Sequence, residues 1–116
     1  MPFVKVYSNV ARATVNADSV LKAVSKSLSE ALDRPEPYVM VQLKLDQDML
    51  MAGTTEPCAF IHIRSIGKID TERNPKTVAA LTATVSDALR VPADRIFVNL
   101  DDIAPNNWGH AGNTIA

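Results

Sequence analysis

The order of hydrophobic patterns limits this chain more than any single motif does. A strand-like run, a helix-like run and a second strand-like run follow one another, and the series then repeats. In the first half, Phe3 to Tyr7 is β-branched and aromatic around a central lysine. A helix opens near Asn16-Ala17-Asp18-Ser19, where several side chains can cap it, and carries Val20, Leu21, Val24, Leu28, Ala31 and Leu32 on one stripe. Pro35 and Pro37 stop it. Tyr38 to Leu45 then alternates: Val39, Val41, Leu43 and Leu45 share one face, and Tyr38, Met40, Gln42 and Lys44 the other. Asp46 to Pro57 reads as a loop turning at Gly53. In the second half, Cys58 to Ile66 is the most apolar strand and ends at Gly67. Asn74-Pro75 caps and opens a helix with Val78, Leu81, Val85, Ala88 and Leu89 as its stripe. Val91-Pro92 closes it, and Arg95 to Leu100 is the last strand. The tail from Asp101 to Ala116 is rich in Asn and Gly and holds the only tryptophan, Trp108.

Each helix is long enough to cross from one strand to a parallel neighbour. The expectation is an α/β (α+β) domain spanning residues 1–116, with two helices on one face of a four-stranded sheet. The other face is left uncovered, and the edge strands need partners. Apolar side chains on that face, from Val39 to Leu45 or Phe60 to Ile66, predict self-association.

Composition removes several classes of function. With 12 basic and 13 acidic side chains, net charge is −1 and offers no attraction for nucleic acid or an anionic membrane. A single cysteine, Cys58, allows no internal disulfide and no all-cysteine zinc site, and it fits a reducing compartment. No run approaches the roughly 18–20 apolar residues of a membrane span. The first residues lack the apolar core of a signal peptide. Localisation is therefore expected to be cytoplasmic, with export by a route that needs no signal peptide left open.

Met1-Pro2 is the most chemically pointed feature. Initiator methionine is removed before a small second residue, and the mature chain would then begin with a prolyl amine. A free α-amino group titrates near ~7.7–8.0. An apolar pocket disfavours its ammonium form and makes a neutral base available at physiological pH. On the residue alone, the better reading of Pro2 is a processing signal or the start of an edge strand.

The chain resembles the macrophage migration inhibitory factor family, within the tautomerase superfamily. Met1-Pro2, Ser8-Asn9-Val10, Arg34-Pro35 before Tyr38-Val39-Met40, Glu56-Pro57-Cys58-Ala59, Ser65-Ile66-Gly67-Lys68-Ile69, Pro92-Ala93-Asp94-Arg95-Ile96 and Asn113-Thr114 carry the resemblance over nearly the full length. It implies two β-α-β units in a four-stranded mixed sheet, and a homotrimer with its sites at subunit interfaces. The implied activity is cofactor-independent keto–enol tautomerisation of phenylpyruvate- or dopachrome-like compounds, with no metal. Pro2 becomes the catalytic base. Arg34 stands where the family has a basic residue, usually lysine, and would grip a substrate carboxylate together with the Ile66 backbone N–H. Asn99 matches an asparagine that lines the pocket from the neighbouring subunit. Phe97 stands where tyrosine is common and keeps the ring without the hydroxyl. Phe3, Phe97 and Trp108 are candidates for the apolar wall. His110 falls where the family commonly has tryptophan.

Blander readings stand beside these. Arg34 alone suits a solvated helix C-terminus. Cys58 reads as a buried thiol, and Ile61 occupies the place where a C-x-x-C pair would need its second cysteine. His62 reads as a satisfied structural residue. Arg64 is a second cation near Pro2, available to a further carboxylate. Arg12 and Asp46 match a pair linked to receptor binding in cytokine members but read as solvated surface, which leaves receptor binding open. Two alternatives to the tautomerase remain: a cytokine-like binding trimer with a vestigial pocket, and a superfamily decarboxylase or hydratase using protonated Pro2.

Overall fold

The computed structural model describes all 116 residues. Strand β1 (Pro2–Ser8) leads to helix α1 (Ala17–Leu32) and strand β2 (Met40–Lys44). Strand β3 (Ala59–Ser65), helix α2 (Asn74–Leu89) and strand β4 (Ile96–Asp102) repeat the plan. The four strands form one mixed sheet in the order β2-β1-β3-β4. The strands of each half are parallel, β1 to β2 and β3 to β4, and the halves meet antiparallel at β1 and β3. A tail hairpin, β5 (Gly109–His110) and β6 (Asn113–Thr114), completes the chain.

Alternation decides which side of each strand is buried. Val4, Val6, Ile61 and Ile63 point to the helix layer and are fully buried there. They meet Val20, Val24, Leu28 and Leu32 of α1 and Leu81, Val85 and Leu89 of α2. Each such aliphatic side chain contributes roughly 1.5–3 kcal/mol by leaving water. In α2 the buried line runs through Thr77, Leu81, Val85 and Leu89, a strict four-residue spacing. Val78 is therefore only half-buried, and Thr77 takes the core position expected of it. The Thr77 hydroxyl donates to the Arg73 carbonyl, which satisfies the one polar atom this places inside.

Several strand boundaries differ from the sequence reading. Pro35 and Pro37 draw Glu36–Tyr38 into a short 3-10 turn, so β2 starts at Met40 rather than Tyr38. Ala93–Arg95 is likewise a 3-10 turn, and the last strand runs from Ile96 on to Asp102. The Arg95 guanidinium turns back to the carbonyls of Met51, Thr54, Glu56 and Pro57, and so pins the loop before β3. The third strand stops at Ser65, one residue short of Ile66. Ile66 therefore does not continue the face shared by His62 and Arg64.

The sheet face away from the helices differs from the expectation of an aliphatic surface. Val41 and Leu43 turn toward the core, as does the buried Leu45 just beyond the strand. The open face carries Phe3, Lys5 and Tyr7 beside Met40, Gln42 and Lys44, with Phe60, His62 and Arg64 beside Phe97, Asn99 and Asp101. It is aromatic and charged in alternation. Lys5 sits over the Tyr7 ring at 5.1 Å, and Tyr7 meets Phe60 edge-on at 6.3 Å. Cys58 is a buried free thiol, and its backbone is held by Ser8 and Asn9 side chains.

Candidate functional site

The chain's amino terminus lies at one end of the sheet, where four segments converge. In register, Pro2 stands opposite Ser65, and Phe3 lies between Met40 and Arg64. The Ile103 N–H donates to the Ser65 carbonyl at 2.8 Å and brings the chain after β4 back over this end. The tail follows with a 3-10 turn, Pro105–Asn107, and then the hairpin. The Ile115 N–H donates to the Trp108 carbonyl at 3.0 Å, which folds the tail on itself, and Trp108 is half-buried there. The result is a cleft of about 440 Å³ lined by Met1, Pro2 and Phe3, by Pro37 to Met40, by Arg64 and Ile103, and by Asn107 to His110. That is the size of a small-ligand site.

Arg34 reaches this end from the helix layer. Asp33 ends α1 in the left-handed conformation (φ 50°), and the Arg34 N–H returns to the Ser29 carbonyl. The reversal sends the guanidinium across the end of the sheet, where Nη2 donates to the Ile66 carbonyl at 3.0 Å. Arg34 is thus half-buried rather than solvated. Its Nε and the Ser65 hydroxyl are both buried without a hydrogen-bond partner. The turn that follows is built around this contact. Gly67 has φ +73°, and a Cβ there would lie 3.4 Å from Arg34 Nη2. The Gly67 N–H donates to Asp102 at the end of β4.

Burial lowers the pKa of the terminal amine from its usual 8.0, and the nearby Arg34 cation lowers it further. The group that experiences this is the Met1 amine, one residue ahead of the Pro2 nitrogen. Pro2 itself is fully buried.

The structure thus brings Pro2, Phe3, Arg64, Trp108 and His110 into one cleft. Arg34 and Ile66 do not line it; Arg34 acts on the terminal amine through its charge, and Ile66 is tied to Arg34 through its carbonyl. Phe97 and Asn99 are not there. Phe97 pairs with Phe60, which pairs with Tyr7 at the far end of β1. Back to Pro2 the strand runs about 17 Å, and two strand spacings add about 10 Å sideways, a separation of roughly 20 Å. Asn99 pairs with His62 and is also two strands away. His62 has a carboxylate partner, Asp101, at 2.6 Å. Arg12 and Asp46 do come together, through the Arg12 backbone N–H rather than its side chain. No group of three or more His, Cys, Asp or Glu residues is placed to hold a metal.

The sequence reading missed Pro37 to Met40, Ile103, Asn107 and Gly109 as cleft residues. Tyr38 and Met40 had a usable signal. They occupy the non-core side of the alternating run, and both are large, apolar and exposed. Ile103 and Asn107 had none, because irregular backbone brings them in.

Two β-α-β units sharing one mixed sheet, with a cleft at the head of the first strand, define a protein of the tautomerase fold. Comparison with known proteins agrees. The profile of macrophage migration inhibitory factor (MIF) matches residues 1–116. The rat macrophage migration inhibitory factor is 35% identical over 116 residues, covering all of both chains. The crystal structure of the homologue from Prochlorococcus marinus superposes with a TM-score of 0.90 at 32% identity, covering 98% of this chain and 99% of that one. The macrophage migration inhibitory factor of Toxoplasma gondii gives 0.86 at 33% identity, covering 97% and 98%. The chain belongs to the macrophage migration inhibitory factor family.

Proposed function

We propose that the protein is a cofactor-independent keto–enol tautomerase of phenylpyruvate- or dopachrome-like compounds, an isomerase with Pro2 as its general base. The observation that carries this reading is the placement of the amino terminus. It opens into a cleft, and burial and Arg34 together hold its amine below the usual pKa. With Met1 removed, the amine becomes that of Pro2, deeper in the same pocket. As a neutral amine it takes the α-proton of a 2-oxo acid, and the resulting ammonium returns a proton to the enolate oxygen. Arg34 and the Ile66 N–H hold the carboxylate and stabilise charge as it moves onto oxygen. Arg34 spends one Nη2 bond on the Ile66 carbonyl and keeps an unpaired Nε. Phe3 and Trp108 flank the substrate's apolar part.

A homotrimer completes the site. Phe97 and Asn99 lie too far from Pro2 in their own chain to share its ligand, so in this reading they serve the cleft of a neighbouring copy.

The test pairs N-terminal mass spectrometry with phenylpyruvate turnover. Protein that begins at Pro2 should be active. Its kcat/KM should fall as pH drops through the amine pKa, because the neutral form is the base, with a midpoint below ~8. Pro2→Ala should lose about 10²-fold or more, within the range of a general base. Equal turnover by Met1-retaining and Pro2-initiated protein would remove Pro2 from the mechanism.

A further inference from the structure

We propose that Arg64 makes the cleft selective for 2-oxo acids that carry a second carboxylate at their far end. This rests on the tautomerase reading and names its substrate class. Arg64 lines the cleft, opposite Phe3 in register, and its side chain is on the open sheet face. It forms no ion pair. The carboxylate beside it in register, Asp101, is engaged by His62 at 2.6 Å. The next one, Asp102, accepts the Gly67 N–H at 3.0 Å. With no ion pair or side-chain hydrogen bond of its own in the chain, Arg64 leaves its five-donor fork free to a ligand in the cleft.

Position adds direction. Arg34 approaches the amino terminus from the helix side of the sheet, and Arg64 faces the cleft from the open side. Two cations on opposite sides of the amine fit a ligand anionic at both ends. One carboxylate, next to the reacting carbon, goes to Arg34. The other extends past Phe3 and Trp108 to Arg64. Asn107 and His110 line the same wall and give the outer end polar hydrogen-bonding capacity that a purely aryl pocket would not need.

Trp108, the only tryptophan, lines the cleft, so its fluorescence reports occupancy without any turnover. The probes are phenylacetate and 4-(carboxymethyl)benzoate, which lack the ketone and differ by one carboxylate. Pro2-initiated protein should bind the dianion about tenfold or more tightly than the monoanion, the scale of one charge-assisted bidentate contact. Arg64→Gln should abolish that preference. Arg64→Lys should keep part of it, since lysine supplies the charge without the fork. In turnover, the ratio of kcat/KM for 4-carboxyphenylpyruvate over phenylpyruvate should collapse in Arg64→Gln by the same factor. Equal affinity for both probes, or equal weakening of both by Arg64→Gln, would return Arg64 to the solvated surface. Should Arg64→Gln fail to fold, Arg64→Lys decides: a dianion preference as large as that of the unaltered protein overturns the proposal. Binding selectivity without turnover of any 2-oxo acid would sink the tautomerase reading and leave the Arg64 subsite standing.

Discussion

Asp70 anchors the turn that leads into the second helix. Asn74-Pro75 reads as its cap, yet the Asp70 carboxylate accepts the Arg73 N–H at 2.7 Å, and the Asn74 side chain returns to the Asp70 N–H at 3.1 Å. These reciprocal bonds, like those of a capping box, close the turn that leads into the first helical residue, Asn74. The Arg73 guanidinium closes on the same carboxylate. The Arg73 N–H, above all, holds the Asp70 pKa below its usual 3.8, with the Arg73 side chain adding to it. A depressed carboxylate pKa stabilises the fold above the unfolded-state value and loses that contribution as pH falls through the folded one. Asp70→Asn should therefore lower the Tm at neutral pH. The gap to the unaltered protein should close below about pH 4. A gap that stayed constant down to pH 2 would mean that shape rather than charge makes the cap. At Arg34 the expectation is kinetic. Arg34→Ala removes a cation that the proposed mechanism uses on the substrate carboxylate, so KM for phenylpyruvate should rise, with a loss of ~1.5–3 kcal/mol in kcat/KM. It also leaves the Ile66 carbonyl without its side-chain donor, so thermal melts must accompany the kinetics. A kcat/KM unchanged by the substitution would make Arg34 a structural clamp on the turn after β3.

Among the elements, the tail hairpin is the least expected, and its first strand lines the cleft. It turns through Ala111 (φ 51°) and Gly112 (φ 83°), both left-handed, as a two-residue turn between twisted strands requires. Glycine adopts this readily and alanine does not, at a cost of about 1 kcal/mol. Ala111→Asn should relieve the strain, because Asn-Gly is the preferred pair for such a turn. Amide hydrogen exchange across Gly109 to Thr114 should slow accordingly. Unchanged exchange would show that the tail's order comes from Trp108 packing and not from the turn. The same comparison explains what the sequence could reveal. Strands β1 and β3 and both helices were legible because each buries a full period of aliphatic residues against one core. The hairpin strands are two residues each and exposed, too short to display any period. Val78 and Thr77 were confused because they are neighbours on the helix, and the phase of the stripe depends on how α2 lies on the sheet. The open face was misjudged for a related reason. Alternation separates two sides of a strand, but only the observed pairing shows that the aliphatic sides of all four strands face the helices together.

At the scale of the whole molecule, some residues of the candidate cleft were legible by type, but their coming together was not. Pro2 and Trp108 stand out by type, whereas their meeting depends on the register of β1 on β3 and on the path after Ile103. Phe97 and Asn99 present the reverse case, since their own chain holds them on β4, away from the cleft. If they act at the site at all, they act in trans. Sedimentation equilibrium should therefore give a trimer at micromolar concentration, and a monomer there would remove both residues from the site. Subunit mixing is the sharper measurement. Pro2→Ala chains lack the base, and Asn99→Ala chains lack the pocket contribution, so each homotrimer should be impaired. Co-refolded at equal amounts, they assort at random around a ring in which each site takes Pro2 from one copy and Asn99 from the next. A site is intact when an Asn99→Ala copy is followed by a Pro2→Ala copy, which happens for about a quarter of sites under random assortment in a closed ring. Activity should therefore recover to about a quarter of the unaltered level, well above the average of the two parents. Activity that stays at the parental average would place Pro2 and Asn99 in cis, or in no common site.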